Sequence, residues 1–547
     1  MLKGMLRATI REKVVGSKLL LKDFDLRLAD DEKVGFLGRN GTGKTTLFNI
    51  ITKKDFDFDG EVSYPKNQEL MATSQEHHDS GGTTLAYVSQ KLPGFAELET
   101  IIQNYPEHMG ESLAKITEYT EALEEFSNRG YYEIENSLEK LFDAYQLDKA
   151  LLGHTFSSLS GGQKRLVELI AIQLATPHIV LLDEPTNHMD YVAKAAFIDW
   201  LKIVKSSVLV ISHDRDVLKN VDRIVELRDH KLYSYPGNYD NYLAQNAVKT
   251  TNAISEYETS AKRIANLKEQ IEFARARSAK GGPRWVTMRE RYERELEEIL
   301  QNRQKPTFWI DRESANALKP KATESYHKFK AKNIRLHQTK DDGPAGMLVN
   351  VDSLSLGYDG KPLFTELSFQ LRGGERLHVV GRNGAGKTTL VSAIMQAADA
   401  QIPDTLIGRG VIDCARHVNI SHYEQEIGPE LLPMTLADAI EQIYRSKNLP
   451  VTSEQIMRDM GNYLFDPQVD KDVEVKRLSG GQKARLQLIR LLVGEPNLLI
   501  LDEPTNHLDL PSIEELENAL KDYRGAVIYI SHDSYFAKNV GGETLTI

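Results

Sequence analysis

Two glycine-rich loops, each ending in a lysine and a threonine, recur 343 residues apart. The first, Gly38-x-x-x-x-Gly43-Lys44-Thr45, follows the apolar stretch Val34-Gly35-Phe36-Leu37 and leads into a helical pattern; Gly381, Gly386, Lys387 and Thr388 repeat it. This is the strand, loop and helix context of a phosphate-binding loop. The loop residues Asn40, Gly41 and Thr46, with Asn383, Gly384 and Thr389 in the second copy, bring main-chain N–H groups around an anion at a helix N-terminus. Lys44 and Lys387 would neutralise the β- and γ-phosphates of ATP, and Thr45 and Thr388 would ligate Mg²⁺.

Acids follow at the right place for this chemistry. Ile179 to Glu184 and Leu498 to Glu503 are apolar runs that end in Asp-Glu. A buried parallel strand accounts for the apolar run but not for two carboxylates at its carboxyl end, where ligands gather in open α/β sheets. Asp183 and Asp502 would support Mg²⁺ through water, while Glu184 and Glu503 would polarise the attacking water. His213 and His532 each end another apolar strand and would contact the γ-phosphate or that water. Ser160-Gly161-Gly162 and Ser479-Gly480-Gly481 open helical runs with hydroxyl and main-chain donors suited to a γ-phosphate.

The strings LSGGQK, LDEPTNH and ISHD recur at an offset of 319. The chain is therefore two homologous α/β domains, with 24 extra residues between phosphate loop and LSGGQ in the first. The inner markers Gln75 and Gln425 place the insertion beyond Gln75, within about 95–130, where Leu113, Ile116, Tyr119, Leu123 and Phe126 have helical spacing. Residues 1–240 and 347–547 read as the two repeats and 241–346 as a linker. From Asn241 to Arg277 the linker lacks Gly and Pro and reads as one helix; Gly281-Gly282-Pro283 breaks it, and a second helix runs to about Arg303. Balancing outgoing and returning lengths favours a tip near 278–287 over one at Lys305 to Pro320.

Here the sequence resembles the ATP-binding cassette proteins, over both copies. The resemblance implies two cassettes closing head to tail, with Lys44 sharing a site with Ser479 and Lys387 sharing one with Ser160. It also implies Gln75 and Gln425 among the Mg²⁺ ligands, and an adenine stacked on Tyr358, where the first copy has Val15. Fused cassettes without membrane spans, Pro185-Thr186-Asn187-His188 and Pro504-Thr505-Asn506-His507, and Gly237-Asn238-Tyr239 opening a charged linker are similar to the ABC-F subfamily. That subfamily implies an ATPase working on the ribosome, with ribosomal RNA and the P-site tRNA as partners. Its members include ribosomal protection factors that confer antibiotic resistance by reaching the tRNA site with the linker tip.

Charge fits the resemblance once it is divided. The 547 residues carry a net charge of −11, which argues against a simple basic nucleic-acid binder. From Thr251 to Lys340, however, 20 Lys and Arg face 12 Asp and Glu, leaving −19 for the rest. Arg275, Arg277, Lys280, Arg284 and Arg289, with Trp285 among them, are the candidate ribosome contacts. A solvated helix face with Trp285 packed between helices is the competing reading. A general translation factor, the energy subunit of a transporter and a DNA-associated ATPase are the functional alternatives. No apolar run approaches the roughly 20 residues of a membrane span, and the opening residues lack the apolar core of a secretory leader. The single Cys414 forms no internal disulfide, so a cytoplasmic monomer with paired cassettes is expected.

Overall fold

A computed structural model describes residues 6–302 and 346–547, apart from 17, 66–67, 74–81, 109–112, 188, 229, 279–282, 359, 406, 408–409, 424–426, 479, 495 and 507. The chain divides into two compact units, Met1–Ser234 with Ile334–Ile547, and Tyr235–Asn333.

The first unit holds two α/β cassettes. The sheet of cassette 1 runs Leu70–Ala72, Ile179–Asp183, Ser207–Ile211, Lys33–Gly38, Arg223–Arg228, Lys231–Pro236 in space, and the first five strands pair in parallel. The sheet of cassette 2 repeats this as Ile420–Tyr423, Leu498–Asp502, Ala526–Ile530, Arg376–Val380, Glu543–Thr546. Both central strands, Ile179–Asp183 and Leu498–Asp502, are buried almost throughout, because helices cover both faces of a parallel sheet. Each cassette adds a three-stranded antiparallel sheet, built on Leu6–Val15 and Met347–Tyr358.

The extra segment of cassette 1 folds as two helices, Phe95–His108 and Leu113–Asn128. Their base is pinned by Phe95, Leu98, Ala122, Phe126 and Tyr131, which form a small apolar cluster. The apolar stripe read from the sequence is only half buried: Phe126 lies in that cluster, whereas Leu113 is 80% exposed.

In the second unit, Tyr239–Ser278 and Pro283–Asn302 form an antiparallel helical hairpin. Arg263 pairs with Glu295 at 2.6 Å, and nearer the turn Phe273 meets Trp285 edge to face at 5.7 Å. The first helix starts two residues earlier than its Gly- and Pro-free run suggested and ends one later. Asn238 and Asn241 exchange side chain to main chain hydrogen bonds at its start. Residues 279–282 of the expected tip, Lys280 among them, and everything from 303 to 345 lie outside the described residues.

Candidate active site

Each phosphate loop is shaped by a glycine that no other residue replaces easily. Gly43 and Gly386 have φ of 107° and 103°, a backbone that L side chains rarely adopt, and at Gly386 a Cβ would also press on the Phe364 ring at 3.1 Å. Both residues cap the following helix, Lys44–Ile51 or Lys387–Ala398, and neither cap carries a side-chain acceptor. No side chain of the cap therefore competes with an anion for the first-turn N–H groups.

Lys44 turns its ammonium inward, donating to the carbonyls of Gly38 and Arg39 and, at 3.2 Å, to His213 Nε2. An ammonium only donates, so Nε2 is the acceptor and the ring proton belongs on Nδ1, which is buried without a hydrogen-bond partner. Burial and the Lys44 charge push the His213 pKa down to about 3, and burial with Lys387 pushes His532 down to about 4. Both imidazoles are therefore neutral at physiological pH.

The acids stand beside them. Thr45 Oγ1 donates to Asp183 Oδ2 at 3.4 Å, and Thr388 Oγ1 to Asp502 Oδ2 at 2.9 Å. This hydroxyl and carboxylate set suits a hard cation such as Mg²⁺. Glu184 and Glu503 both adopt φ of 46° at the turn leaving the strand. Each accepts the main-chain N–H of its histidine, His213 at 3.3 Å and His532 at 3.4 Å. Burial pushes both glutamates up to about 8, against the pull of Lys44 and Lys387, so each is a strong proton acceptor when ionised.

The Lys44 site opens on a cavity of about 490 Å³. Cassette 1 contributes Asn40, Gly41, Thr46, Arg165, Asp183, Glu184 and His213 to its walls, and cassette 2 contributes Glu503, Asn506, Leu508, Ile513 and His532. The two cassettes clasp each other across it. The main-chain N–H of Asn383 donates to Asp190 Oδ2 at 3.1 Å, and that of Asn40 to Asp509 Oδ2 at 3.3 Å. Beside this clasp lies a buried ion pair between cassettes, Arg215 to Glu517 at 2.8 Å.

The other expected positions are less uniform. Ser160 spends its hydroxyl on the N-cap of Gly161–Ala175, accepting from Gln163, and is not among the cavity-lining residues. Tyr358 is 57% exposed with its hydroxyl 3.4 Å from Thr389 Oγ1, while Val15 is likewise exposed. Gln75, Gln425, Ser479, His188 and His507 lie outside the described residues. In the hairpin, Trp285 is half-buried, with the Arg277 guanidinium over its ring at 5.1 Å. This is the packed arrangement that competed with an exposed stacking ring. Arg275, Arg284 and Arg289 are on the two hairpin helices, and Arg289 pairs with Glu293 at 3.5 Å. Cys414 is half-buried, its thiol pushed up to about 11 by burial.

Four residues went unread in the sequence. Asp190 and Asp509 follow each EPTNH string by two positions, and that shared offset was a usable signal. Arg165 holds the Asp183 and Glu184 carbonyls at 3.1 Å, and Lys194 bridges the cassettes; both lack a counterpart in the other copy, so no repeat pointed to them.

Similar proteins agree with this geometry. A model of the ABC transporter family matches residues 21–187 and 364–506, and a second ABC transporter model, of the extension that follows the cassette, matches 225–283. The chain is 31% identical over 545 residues to YdiF of Bacillus subtilis (strain 168), named as an ATP-binding protein, covering 98% of this chain and 78% of that one. It is 28% identical to the ATP-binding protein Uup of Escherichia coli (strain K12), covering 95% and 76%. Among solved structures, an archaeal ribosome recycling factor, aABCE1, in complex with the ribosomal stalk protein aP1 shares the fold. Its TM-score is 0.58 at 15% identity, covering 98% of this chain and 87% of that one. Among the described residues no helix is long and apolar enough to cross a membrane. With two nucleotide-binding cassettes in one chain and the matching extension between them, the protein belongs to the ATP-binding cassette family, as a tandem-cassette member of the ABC-F type.

Proposed function

We propose that this chain is an ATPase with two composite sites that binds the ribosome when ATP closes its cassettes and leaves when ATP is hydrolysed. The observation that carries the reading is the reciprocal clasp of Asp190 and Asp509 on the opposite phosphate loops. Whatever settles in a phosphate loop is felt directly by the other cassette, which links nucleotide state to closure.

Lys44 and Lys387 bind the phosphates, Glu184 and Glu503 take the proton of the attacking water, and His213 and His532 orient the γ-phosphate. Bound Mg²⁺, held by Thr45 with Asp183 and by Thr388 with Asp502, supplies neutralisation of the phosphate charge. Ser479 closes the Lys44 site and Ser160 the Lys387 site. The hairpin, whose stretch from Arg275 to Arg294 carries seven Lys and Arg against Glu290 and Glu293, is the arm toward ribosomal RNA and the P-site tRNA near the peptidyl-transferase centre, and protection from drugs of that centre is the role we assign to it. The ribosomal setting draws support from the fold shared with the recycling factor. A general translation factor is the second reading, favoured by Trp285, whose ring is engaged by Phe273 and Arg277 rather than presented outward.

Replacing Glu184 and Glu503 together by Gln should remove hydrolysis by about 10²-fold or more while ATP still binds. The doubly substituted protein should cosediment with ribosomes in ATP and not in ADP. Sedimentation indifferent to nucleotide would sink the gating. Growth of a sensitive host on peptidyl-transferase drugs, with and without the protein, separates protection from a general role.

A further inference from the structure

The repeat predicts that the two sites match; one buried cation breaks the match. Lys194, on the helix Tyr191–Ile203, is 7% exposed in its side chain. Its ammonium pairs with Asp214 at 2.9 Å and with Asp216 at 2.6 Å, both in cassette 1. It also donates across the cassettes to the main-chain carbonyl of His532 at 3.2 Å. Asp214 directly follows His213, so a single side chain holds both histidine loops. Burial works against its charge, but the two carboxylates outweigh burial and hold its pKa above the usual lysine value. Ser534 reinforces the same bridge, donating to Asp216 at 2.8 Å.

The position equivalent to Lys194, 319 residues on, is Ile513, which lines the cavity near both histidines and has no hydrogen to donate. Asp216 corresponds to Tyr535, whose ring lies under Lys219 at 4.8 Å and Arg215 at 5.4 Å. The tie from cassette 1 to the His532 loop therefore has no return partner of the same chemistry. What it holds matters for turnover: His532 Nε2 is 3.3 Å from Glu503 Oε1, and its main-chain N–H contacts the same carboxylate.

We propose that Lys194 is a positioning residue that couples the two ATP sites in one direction, fixing the His532 loop to the His213 loop so that turnover at the Lys387 site depends on the Lys44 site. The proposal rests on the reading of both sites as ATPase centres. A catalytic step needs the histidine and glutamate held to within a fraction of an ångström, and a loop released at one carbonyl loses that registration.

The test is ribosome-free ATPase kinetics of Lys194→Met in two backgrounds. With Glu184→Gln only the Lys387 site turns over, and with Glu503→Gln only the Lys44 site. Lys194→Met should lower kcat at the Lys387 site about tenfold, a typical coupling between sites, with KM unchanged. The Lys44 site should keep its kcat within about twofold, and Lys194→Arg should restore the Lys387 site. The double substitution Lys194→Ile with Asp216→Tyr copies the residues of cassette 2, removing one of the two carboxylates and leaving Asp214 its helix-cap N–H, as Asp533 has beside Tyr535; it should show the same selective loss. Recovery in that variant would assign the loss to stranded carboxylates and overturn the proposal. Equal losses at both sites, a change confined to KM, or no loss would overturn it too. Two silent single-Gln backgrounds beside an active parent would mean strict concert, which excludes a one-way tie. An inactive parent would instead remove the ATPase reading itself.

Discussion

Asp190 Oδ2 accepts the main-chain N–H of Asn383 at 3.1 Å, so the carboxylate that ends one cassette's catalytic turn sits on the other cassette's phosphate loop. The same carboxyl group caps its own helix through Oδ1, taking the N–H of Ala193 at 2.9 Å. Its two oxygens thus serve two cassettes. Asp190→Ser should keep the cap, at a cost of a few tenths of a kcal/mol, roughly, and lose the reach. Melting should barely change, while ATP turnover should fall about tenfold, since the lost contact lies between coupled sites. A steady-state ATPase assay beside a thermal melt checks both.

The adenine platforms should differ. Tyr358 offers an exposed ring beside the Lys387 loop, and Val15 offers no ring beside the Lys44 loop. Stacking on an aromatic face contributes about 1–3 kcal/mol per base, so Tyr358→Ala should weaken one ATP site by about tenfold or more and leave the other. Val15→Tyr should tighten the other. Titration with a fluorescent ATP analogue should resolve two affinities in the parent and a changed ratio in each variant.

Trp285→Ala should loosen the hairpin from its turn inward. The ring touches Phe273 and Arg277 on the outgoing helix, so truncation removes an aromatic pair worth about 1 kcal/mol beyond its buried area. Amide exchange should quicken in both helices near the turn, and ATPase without ribosomes should be unaffected. Unchanged exchange would mean that the ring contributes no packing.

Glu32 supplies a pH test away from the catalytic centre. Its carboxylate takes Arg223 Nε at 2.6 Å and Nη2 at 3.0 Å and accepts the Ala29 N–H at 3.0 Å. These bonds, the Arg223 hydrogen bonds first, hold its pKa below the usual glutamate value against the opposing effect of burial. A depressed folded pKa means that the unfolded chain binds the proton first, so this stabilisation is complete above about pH 5 and disappears as pH falls through the folded value. Glu32→Gln should therefore cost about 1–2 kcal/mol at neutral pH, and the cost should shrink as pH falls below the usual glutamate range. Melting curves of both proteins across that range give the comparison.

The loops, strands and acids were legible because they recur in order, and recurrence separates a phosphate loop from a chance string. Glu184 and Glu503 could be named, but not their left-handed backbone, since nothing in Asp-Glu-Pro encodes a φ of 46°. The hairpin was readable from one long stretch without Gly or Pro; where Trp285 faced was not, because a half-apolar ring among cations suits solvent and packing alike. Lys194 and Arg165 were invisible for a different reason. Each exists in only one copy, and a search that trusts repetition overlooks the side chains that make the halves unequal.

The buried pair of Arg215 and Glu517 has a bearing on assembly. By the repeat, Arg215 corresponds to Ser534 and Glu517 to Ile198. If two copies of cassette 1 met face to face, Arg215 would be buried against Ile198; if two copies of cassette 2 met, Glu517 would be buried against Ser534. Either arrangement strands a charge at a cost of about 3–5 kcal/mol. Duplicated halves thus recognise only their opposite, so in a crowd of these chains like halves do not dock on one another.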